Sequence, residues 1–423
     1  MSIILTDSLF SRSIYMRILF VHNRFGALAG AEANVSIVAC ELAKAGHFVG
    51  ILHGTGTGRS EEAWSEIFCK TYPIGEAAGE STVRALADFK PDVVYVHKMS
   101  DLRVLSELVS RGYPLVHMVH DHDIYCLRSY KYDYFSRKIC TRAASWRCIF
   151  PCVACVVKND GAGLLPVKWA SYFDKKREIK LNKNFDRMVV VTEYMRDELL
   201  NNGFAPDNIR IHAPVPRPGD PSLRSNFSER NLIVYAGQII RGKGVDVMLE
   251  SLAMMESNFE CVILGDGNHK AYCEKLSIDL GLADRVTFKG FVPQEELKSY
   301  YRECSVVALS SLWPEPIATI GLEVMRYALP VVAFDAGGIK DWLIDGHNGH
   351  LVPWMDRKGY AAALDRVLQD KAHARKLGEN GFALVSERYD FKQYISDLEA
   401  LFAEVQAERK ASHSLKTLNA NDV

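Results

Sequence analysis

The sequence lacks any run of about 18 apolar residues, so no segment reads as a membrane-spanning helix. It also lacks a dominant charge sign: 51 Lys and Arg stand against 52 Asp and Glu, a net charge of −1. That balance excludes a nucleic-acid binder relying on whole-molecule positive charge, and no nucleic-acid partner is expected. No spacing of the form G-x-G-x-x-G follows the first strand-like run, which weighs against a nicotinamide dehydrogenase. Residues 1–15 hold the apolar patch Ile3-Ile4-Leu5 but no basic flank, long apolar core or small-residue cleavage site, so they read as a disordered leader and not a secretory signal. Without an export signal the ten cysteines read as thiols, which places the chain in the cytoplasm.

What is present is ordinary globular composition, 48% hydrophobic and 24% charged, in a chain of 423 residues with room for two or three domains. Strand-like and helix-like stretches alternate twice. Strands are expected at 17–22, 48–53, 92–97, 114–120 and 187–192, with helices near 31–45 and 102–110 between them. The pattern restarts with strands at 231–237, 261–265, 286–291, 306–311, 330–334 and 350–352. Apolar runs of this near-continuous kind suit strands buried on both faces of a parallel sheet. The fold class is therefore α/β, with two Rossmann-like, doubly wound parallel-sheet domains facing a central cleft. The expected division is a first Rossmann-like domain over 16–212, a Pro-rich hinge over 213–230, a second Rossmann-like domain over 231–390, a helix over 391–408 and a disordered tail over 409–423. Pro214, Pro216, Pro218 and Pro221 stop both helix and central strand in the hinge.

Ligands of open parallel sheets bind beyond the carboxyl ends of the strands, and the informative motifs fall there. Gly26 to Glu32 is a small-residue loop opening a helix, so that backbone near Gly30 can approach a ligand closely. Gly237-Gln238-Ile239-Ile240-Arg241-Gly242-Lys243-Gly244 puts two cations and three glycines between a strand and a helix, which suits a diphosphate. Gly265-Asp266-Gly267 reads as a plain turn. Glu315 and Glu323 are eight residues apart, about 12 Å along a helix, too far for the paired carboxylates of a retaining glycosidase. Next to a diphosphate each would be repelled, so each is expected to accept hydrogen bonds from sugar or ribose hydroxyls.

Taken in order, Gly30-Ala31-Glu32, His120-Asp121, Gly237 to Gly244, Glu315 to Glu323, Pro330-Val331-Val332-Ala333 and Gly337-Gly338 resemble the retaining glycosyltransferases of family 4, with their two-domain GT-B architecture. The resemblance covers about 17 to 400. It implies that Glu315 holds donor-sugar hydroxyls and Glu323 the ribose, that Lys243 and a neighbouring Arg neutralise the leaving diphosphate, and that His120 lies near the reacting centre. It further implies retention of anomeric configuration by a front-face route, with no catalytic metal and no cofactor beyond the nucleotide-diphosphate sugar donor. Gly30, Glu32, Asp121 and Gly237 are carried over as substrate-binding positions. Three positions depart from the pattern. Gln238 replaces an Arg, so the cationic role passes to Arg241. Ala318 replaces a Gly and Pro316 has no N–H, so phosphate amides fall to Ala318 and Thr319. Ala328 replaces another Gly, with an effect expected on packing alone. Asp121-His122-Asp123 imitates the Asp-x-Asp metal motif of the other large glycosyltransferase fold, and His117 and His122 are expected to be structural.

An insert at about 126–183 stands out. Cys126, Cys140, Cys148, Cys152 and Cys155 supply half the cysteines within thirty residues, leaving two readings open: four thiolates on a structural zinc, or buried free thiols. From Arg128 to Arg187 fourteen Lys and Arg face five acids, a local charge of +9, interleaved with aromatics. That combination suits an anionic membrane surface or a lipid-pyrophosphate acceptor, and places the protein peripherally on the inner membrane face. The expected function is transfer of a sugar from a nucleotide-diphosphate donor to a glycan or lipid-linked acceptor in cell-surface polysaccharide synthesis. A nucleotide-sugar epimerase on the same fold and a non-catalytic membrane- or partner-binding module remain as alternatives.

Overall fold

The structure, a computed structural model, describes residues 15–27, 30–133, 135–150, 152–158, 167–213, 224–228 and 230–421. The expected leader, apart from Tyr15, and most of the expected hinge lie outside them. Internal contacts divide the chain into a unit of Met1–His117 with Leu401–Val423 and a unit of Met118–Ala400.

The strands of the first half are β1 (Arg17–Phe25), β2 (Phe48–Gly56), β3 (Lys70–Pro73), β4 (Val93–Val96), β5 (Leu115–Met118), the short pair β6 (Val156–Lys158) and β7 (Val167–Trp169), β8 (Arg187–Val190) and β9 (Ile209–Ile211). All except β6 and β7 form one sheet in the order β3-β2-β1-β4-β5-β8-β9, and the division into units falls inside β5. In β1, Ile18-Leu19-Phe20-Val21 is buried on both faces, pairing in parallel with β2 (Ile18 opposite Val49) and β4 (Ile18 opposite Val93). Its unbroken apolar run has this cause. Within the first unit the Phe20 ring meets Tyr95 edge-on, and Tyr95 meets Phe402 of the last helix at 5.0 Å.

The second sheet comprises β10 (Leu232–Ala236), β11 (Glu260–Leu264), β12 (Val286–Gly290), β13 (Val306–Leu309), β14 (Val331–Phe334) and β15 (Gly349–Val352), all parallel, in the order β12-β11-β10-β13-β14-β15. Its core interleaves Ile233, Tyr235 and Val306 with Met248, Leu249, Phe334 and Tyr360. Chain order reverses at β10, whose neighbours are β11 and β13. Such a switch point leaves a crevice at the carboxyl ends of the two strands, and Gly237–Gly244 and Ser310–Glu315 both begin there.

The last helix runs Phe391–Asn421, where a helix over 391–408 and a disordered tail are expected. No glycine or proline interrupts 409–421, and Glu408, Arg409 and Lys410 are good helix formers, so the polar composition that suggests disorder does not stop the helix. No helix among the described residues is long and apolar enough to cross a membrane.

Candidate active site

The site is built from the loops that follow β10 and β13. After β10 the chain turns through Arg241–Lys243, one turn of 3-10 helix, and enters the helix Val245–Leu252. Gly244 makes that entry in the left-handed region (φ 66°), where a Cβ would sit 2.1 Å from the Ser310 carbonyl oxygen. Only glycine permits the contact, which brings the two loops together: Ser310 Oγ donates to the Lys243 carbonyl at 2.8 Å, and the amides of Leu312 and Trp313 donate to the Gly242 carbonyl. Gly265-Asp266-Gly267 is more than the plain turn expected, because its backbone is zipped to the first loop: Ile239 N donates to the Asp266 carbonyl, and a Cβ on Gly265 would lie 1.8 Å from the Gly237 carbonyl oxygen.

Lys243 Nζ donates to Glu315 Oε1 at 2.5 Å, Trp313 Nε1 donates to the same oxygen at 2.8 Å, and Ser311 Oγ is a third donor to it. Burial alone would raise the pKa of this carboxyl. The Lys243 charge and the three hydrogen bonds outweigh it and hold Glu315 below its ordinary value. The carboxylate is thus ionised, fixed by Oε1, with Oε2 outside this cluster. The Lys243 ammonium also lies 5.0 Å from the centre of the Trp313 ring, and Tyr130 stacks on that ring at 4.8 Å.

The Glu315 backbone is held as firmly as its side chain. Its N–H donates to Ala336 O and its carbonyl accepts from Gly338 N at 2.7 Å. The flanking carbonyls are taken by side chains from the other half of the same unit. His122 Nε2 donates to Pro314 O at 2.9 Å, leaving Nδ1 to accept from Tyr125 Oη at 2.8 Å, and Thr192 Oγ1 donates to Pro316 O at 2.8 Å. Burial pushes the His122 pKa down to about 4, so the ring is neutral at pH 7 and supports the loop as expected of a structural histidine.

The remaining expected residues take these places. Arg241 shares the 3-10 turn with Lys243, and Gly237 directly follows β10. Ala318 caps the helix Thr319–Met325 in the left-handed region (φ 56°), Thr319 is the first helical residue and Glu323 stands one turn further in. Burial raises the Glu323 pKa. Ala328 also has positive φ (53°), so its replacement of glycine strains backbone and does not act on packing alone. His120 is half-buried just beyond β5, and Asp121 Oδ1 caps the following turn by accepting from Asp123 N at 2.8 Å. Gly30 and Glu32 belong to the first unit. Gly30 opens the helix Gly30–Lys44, and Glu32 is buried with Oε1 3.7 Å from His22 Nε2. The structure therefore joins Lys243 to Glu315, with Arg241 in the same turn.

Ser311, Trp313 and Tyr130 escape the sequence reading. The first two lie four and two residues before Glu315 in the strand-end loop, where spacing marks them; Tyr130 reaches Trp313 by tertiary packing and carries no local signal. The zinc reading of Cys126 to Cys155 is corrected: among the described residues no group of three or more His, Cys, Asp or Glu could hold a metal ion. Cys155 is buried, and burial is the largest cause raising the pKa of Cys148 and Cys152.

Two doubly wound parallel sheets, with motif loops beyond the carboxyl ends of the central strands, define the GT-B fold. HepE of Anabaena, whose crystal structure is in complex with UDP, superposes with a TM-score of 0.70 over 92% of this chain and 99% of its own, at 17% identity. Residues 223–383 match the family model described as glycosyl transferases group 1. Among curated relatives, an alpha-D-kanosaminyltransferase of Streptomyces kanamyceticus is 31% identical over 233 residues, 52% of this chain and 60% of its own length. The lipopolysaccharide core biosynthesis glycosyltransferase LpsE of Rhizobium meliloti is 25% identical over 54% of this chain and 57% of its own. The chain spans less than two thirds of the length of the curated relatives first matched.

Proposed function

We propose that the protein is a retaining glycosyltransferase that moves a sugar from a nucleotide-diphosphate donor to a hydroxyl of a glycan or lipid-linked acceptor, in cell-surface polysaccharide synthesis. The observation that carries the proposal is the buried Lys243–Glu315 pair at the switch point of the second sheet. A cation beside a glycine-rich strand-to-helix loop suits a diphosphate, and an ionised, oriented carboxylate next to it suits the hydroxyls of the attached sugar. The named relatives support the class: HepE is described with UDP and with UDP-glucose, and LpsE with lipopolysaccharide core synthesis.

In this reading residues 231–390 bind the donor and 16–212 the acceptor. Glu315 accepts hydrogen bonds from donor-sugar hydroxyls and Glu323 from the ribose. Lys243, Arg241, the Gly237 loop and the amides of Ala318 and Thr319 meet the diphosphate, while His120 and Asp121 lie by the reacting sugar and Gly30 and Glu32 on the acceptor side. The acceptor oxygen bonds to the anomeric carbon on the face from which diphosphate leaves. The carbon–oxygen bond to phosphate breaks with its electron pair, and the acceptor proton passes to the departing phosphate oxygen. No metal is needed, because the cations stabilise the charge that develops on the leaving group. The enzyme works in the cytoplasm, peripherally on the inner membrane face.

The test supplies UDP- and GDP-sugars with and without glycan or lipid-linked acceptors and follows nucleoside diphosphate release together with product stereochemistry. Acceptor-dependent release with retained configuration is the expected result. Conversion of the donor to its epimer without acceptor contradicts the proposal in favour of an epimerase.

A further inference from the structure

Of the sixteen large apolar side chains exposed among the described residues, eight fall between Tyr130 and Phe173. Trp146, Phe150, Trp169 and Phe173 are each 63–72% exposed, and Ile149 and Val153 add exposed aliphatic surface. This density is not a scatter of single surface apolars, which would call for no explanation.

These residues are held in one small substructure. Phe150 N and Cys152 N donate to the carbonyls of Trp146 and Arg147, Ala154 N donates to Cys148 O, and Arg128 reaches across to the Val153 carbonyl at 2.8 Å. The next strand, β6, pairs antiparallel with β7, setting Val156 opposite Trp169, and Ala170 N donates to Cys155 O. The chain then enters the helix Tyr172–Asn182, capped by Ser171 on Asp174 N. Phe173, Lys176, Arg177 and Lys180 recur at i, i+3, i+4 and i+7, so they share one face, and all four are exposed, while Glu178, Ile179 and Asn182 are buried on the other. Arg142 and Arg147 are exposed as well, the Arg147 guanidinium 5.7 Å from the Trp146 ring.

Exposed rings next to exposed cations suit two anionic partners. A single-stranded nucleic acid would stack bases on the rings. An anionic lipid surface would take the rings at the headgroup level and the cations against phosphate. Ile149 and Val153 decide between them, because aliphatic side chains offer nothing to a base but can enter the acyl boundary. We propose that Trp146, Ile149, Phe150, Val153, Trp169 and the Phe173 face of the helix Tyr172–Asn182 form a docking surface for a bilayer of anionic phospholipid.

This deepens the peripheral placement proposed above by assigning it to named residues, and its test does not depend on sugar transfer. The chain is sedimented with vesicles of phosphatidylcholine alone and with vesicles also carrying phosphatidylglycerol. Three variants are compared with the parent: Trp146→Ser with Phe150→Ser and Trp169→Ser; Lys176→Glu with Arg177→Glu and Lys180→Glu; and Glu315→Gln. The parent and Glu315→Gln are expected to bind anionic vesicles roughly tenfold more tightly than neutral ones, and the two surface variants to lose that margin with unchanged far-ultraviolet dichroism and melting. The charge variant replaces exposed residues only, so it remains a test if the aromatic variant fails to fold. Equal binding to both vesicle types, undiminished binding by the charge variant, or displacement from vesicles by an equimolar oligonucleotide overturns the proposal. Vesicle binding without transfer by the parent would refute the enzymatic reading and leave the docking surface standing.

Discussion

Lys243 Nζ and Glu315 Oε1 lie 2.5 Å apart although 72 residues separate them, and the contact exists because two loops that leave neighbouring strands at a switch point are locked together through Gly242, Gly244 and Ser310. The pair is largely buried, the Glu315 side chain 6% and the Lys243 side chain 22% exposed. Each charge is therefore matched mainly by the other. Removing one partner of such a pair strands the second, at a cost of roughly 3–5 kcal/mol.

Glu315→Gln is the gentler disruption, since the amide oxygen still accepts from Lys243, Ser311 and Trp313. It should lower turnover by about a hundredfold or more, with the fold retained by circular dichroism. Lys243→Ala should cost both activity and stability, because the Glu315 carboxylate then loses the Lys243 charge. Near-parental turnover in Glu315→Gln removes that residue from the mechanism.

Trp313→Phe keeps most of the ring that Tyr130 stacks on but deletes the N–H on Glu315. The Glu315 pKa should rise, and the acid limb of the rate profile should move to higher pH with it. A Tyr130→Ala variant should produce a smaller shift in the same direction. An unchanged profile in Trp313→Phe excludes the indole as a support of the carboxylate.

Two buried histidines should make the protein acid-labile in a defined window. Burial lowers both His22 and His122 from 6.5 to about 4. A depressed folded-state pKa means that the unfolded chain takes up the proton first. Their contribution to stability is complete above pH 6.5 and falls as pH drops towards 4, by about 3 kcal/mol for each site. Urea unfolding should show this slope, and His122→Asn should flatten part of it. Glu315 acts at lower pH, its contribution being present above its unfolded-state pKa and lost as pH falls through the depressed folded value. A stability that stays level from pH 6.5 to 4 contradicts the burial of these rings.

Ala318 adopts φ 56° at the start of the helix Thr319–Met325 and is only half-buried. Ala318→Gly should relieve the left-handed strain and raise unfolding free energy by up to about 1 kcal/mol in thermal or urea denaturation. A loss of stability in that variant means that methyl packing outweighs the backbone term.

Much of the fold is legible in the sequence because parallel strands buried on both faces are near-continuous apolar runs. The strands expected at 17–22, 231–237 and 330–334 correspond to β1, β10 and β14 within a few residues. The missed strands are short: β3 is Lys70-Thr71-Tyr72-Pro73, polar and ending in proline, and β6, β7 and β9 have three residues each. At the site, glycines and charged residues at strand ends mark Gly237–Gly244 and Glu315, since each residue type there has a local backbone or charge requirement. Tyr130, His122 and Thr192 meet the Glu315 loop only through folding, and nothing in their own neighbourhoods announces that contact. The left-handed backbone at Ala328 is hidden for a different reason, as alanine gives no sign of φ.

In the proposed function Lys243 meets the diphosphate of a nucleotide-sugar donor. Isothermal titration of UDP and GDP into the parent protein and into Lys243→Met tests it most directly, with circular dichroism confirming that the variant is folded. The parent should bind one of the two nucleotides, and the variant should bind it at least about tenfold more weakly, as expected for loss of one charge-assisted contact. Equal affinity in the two proteins would contradict it.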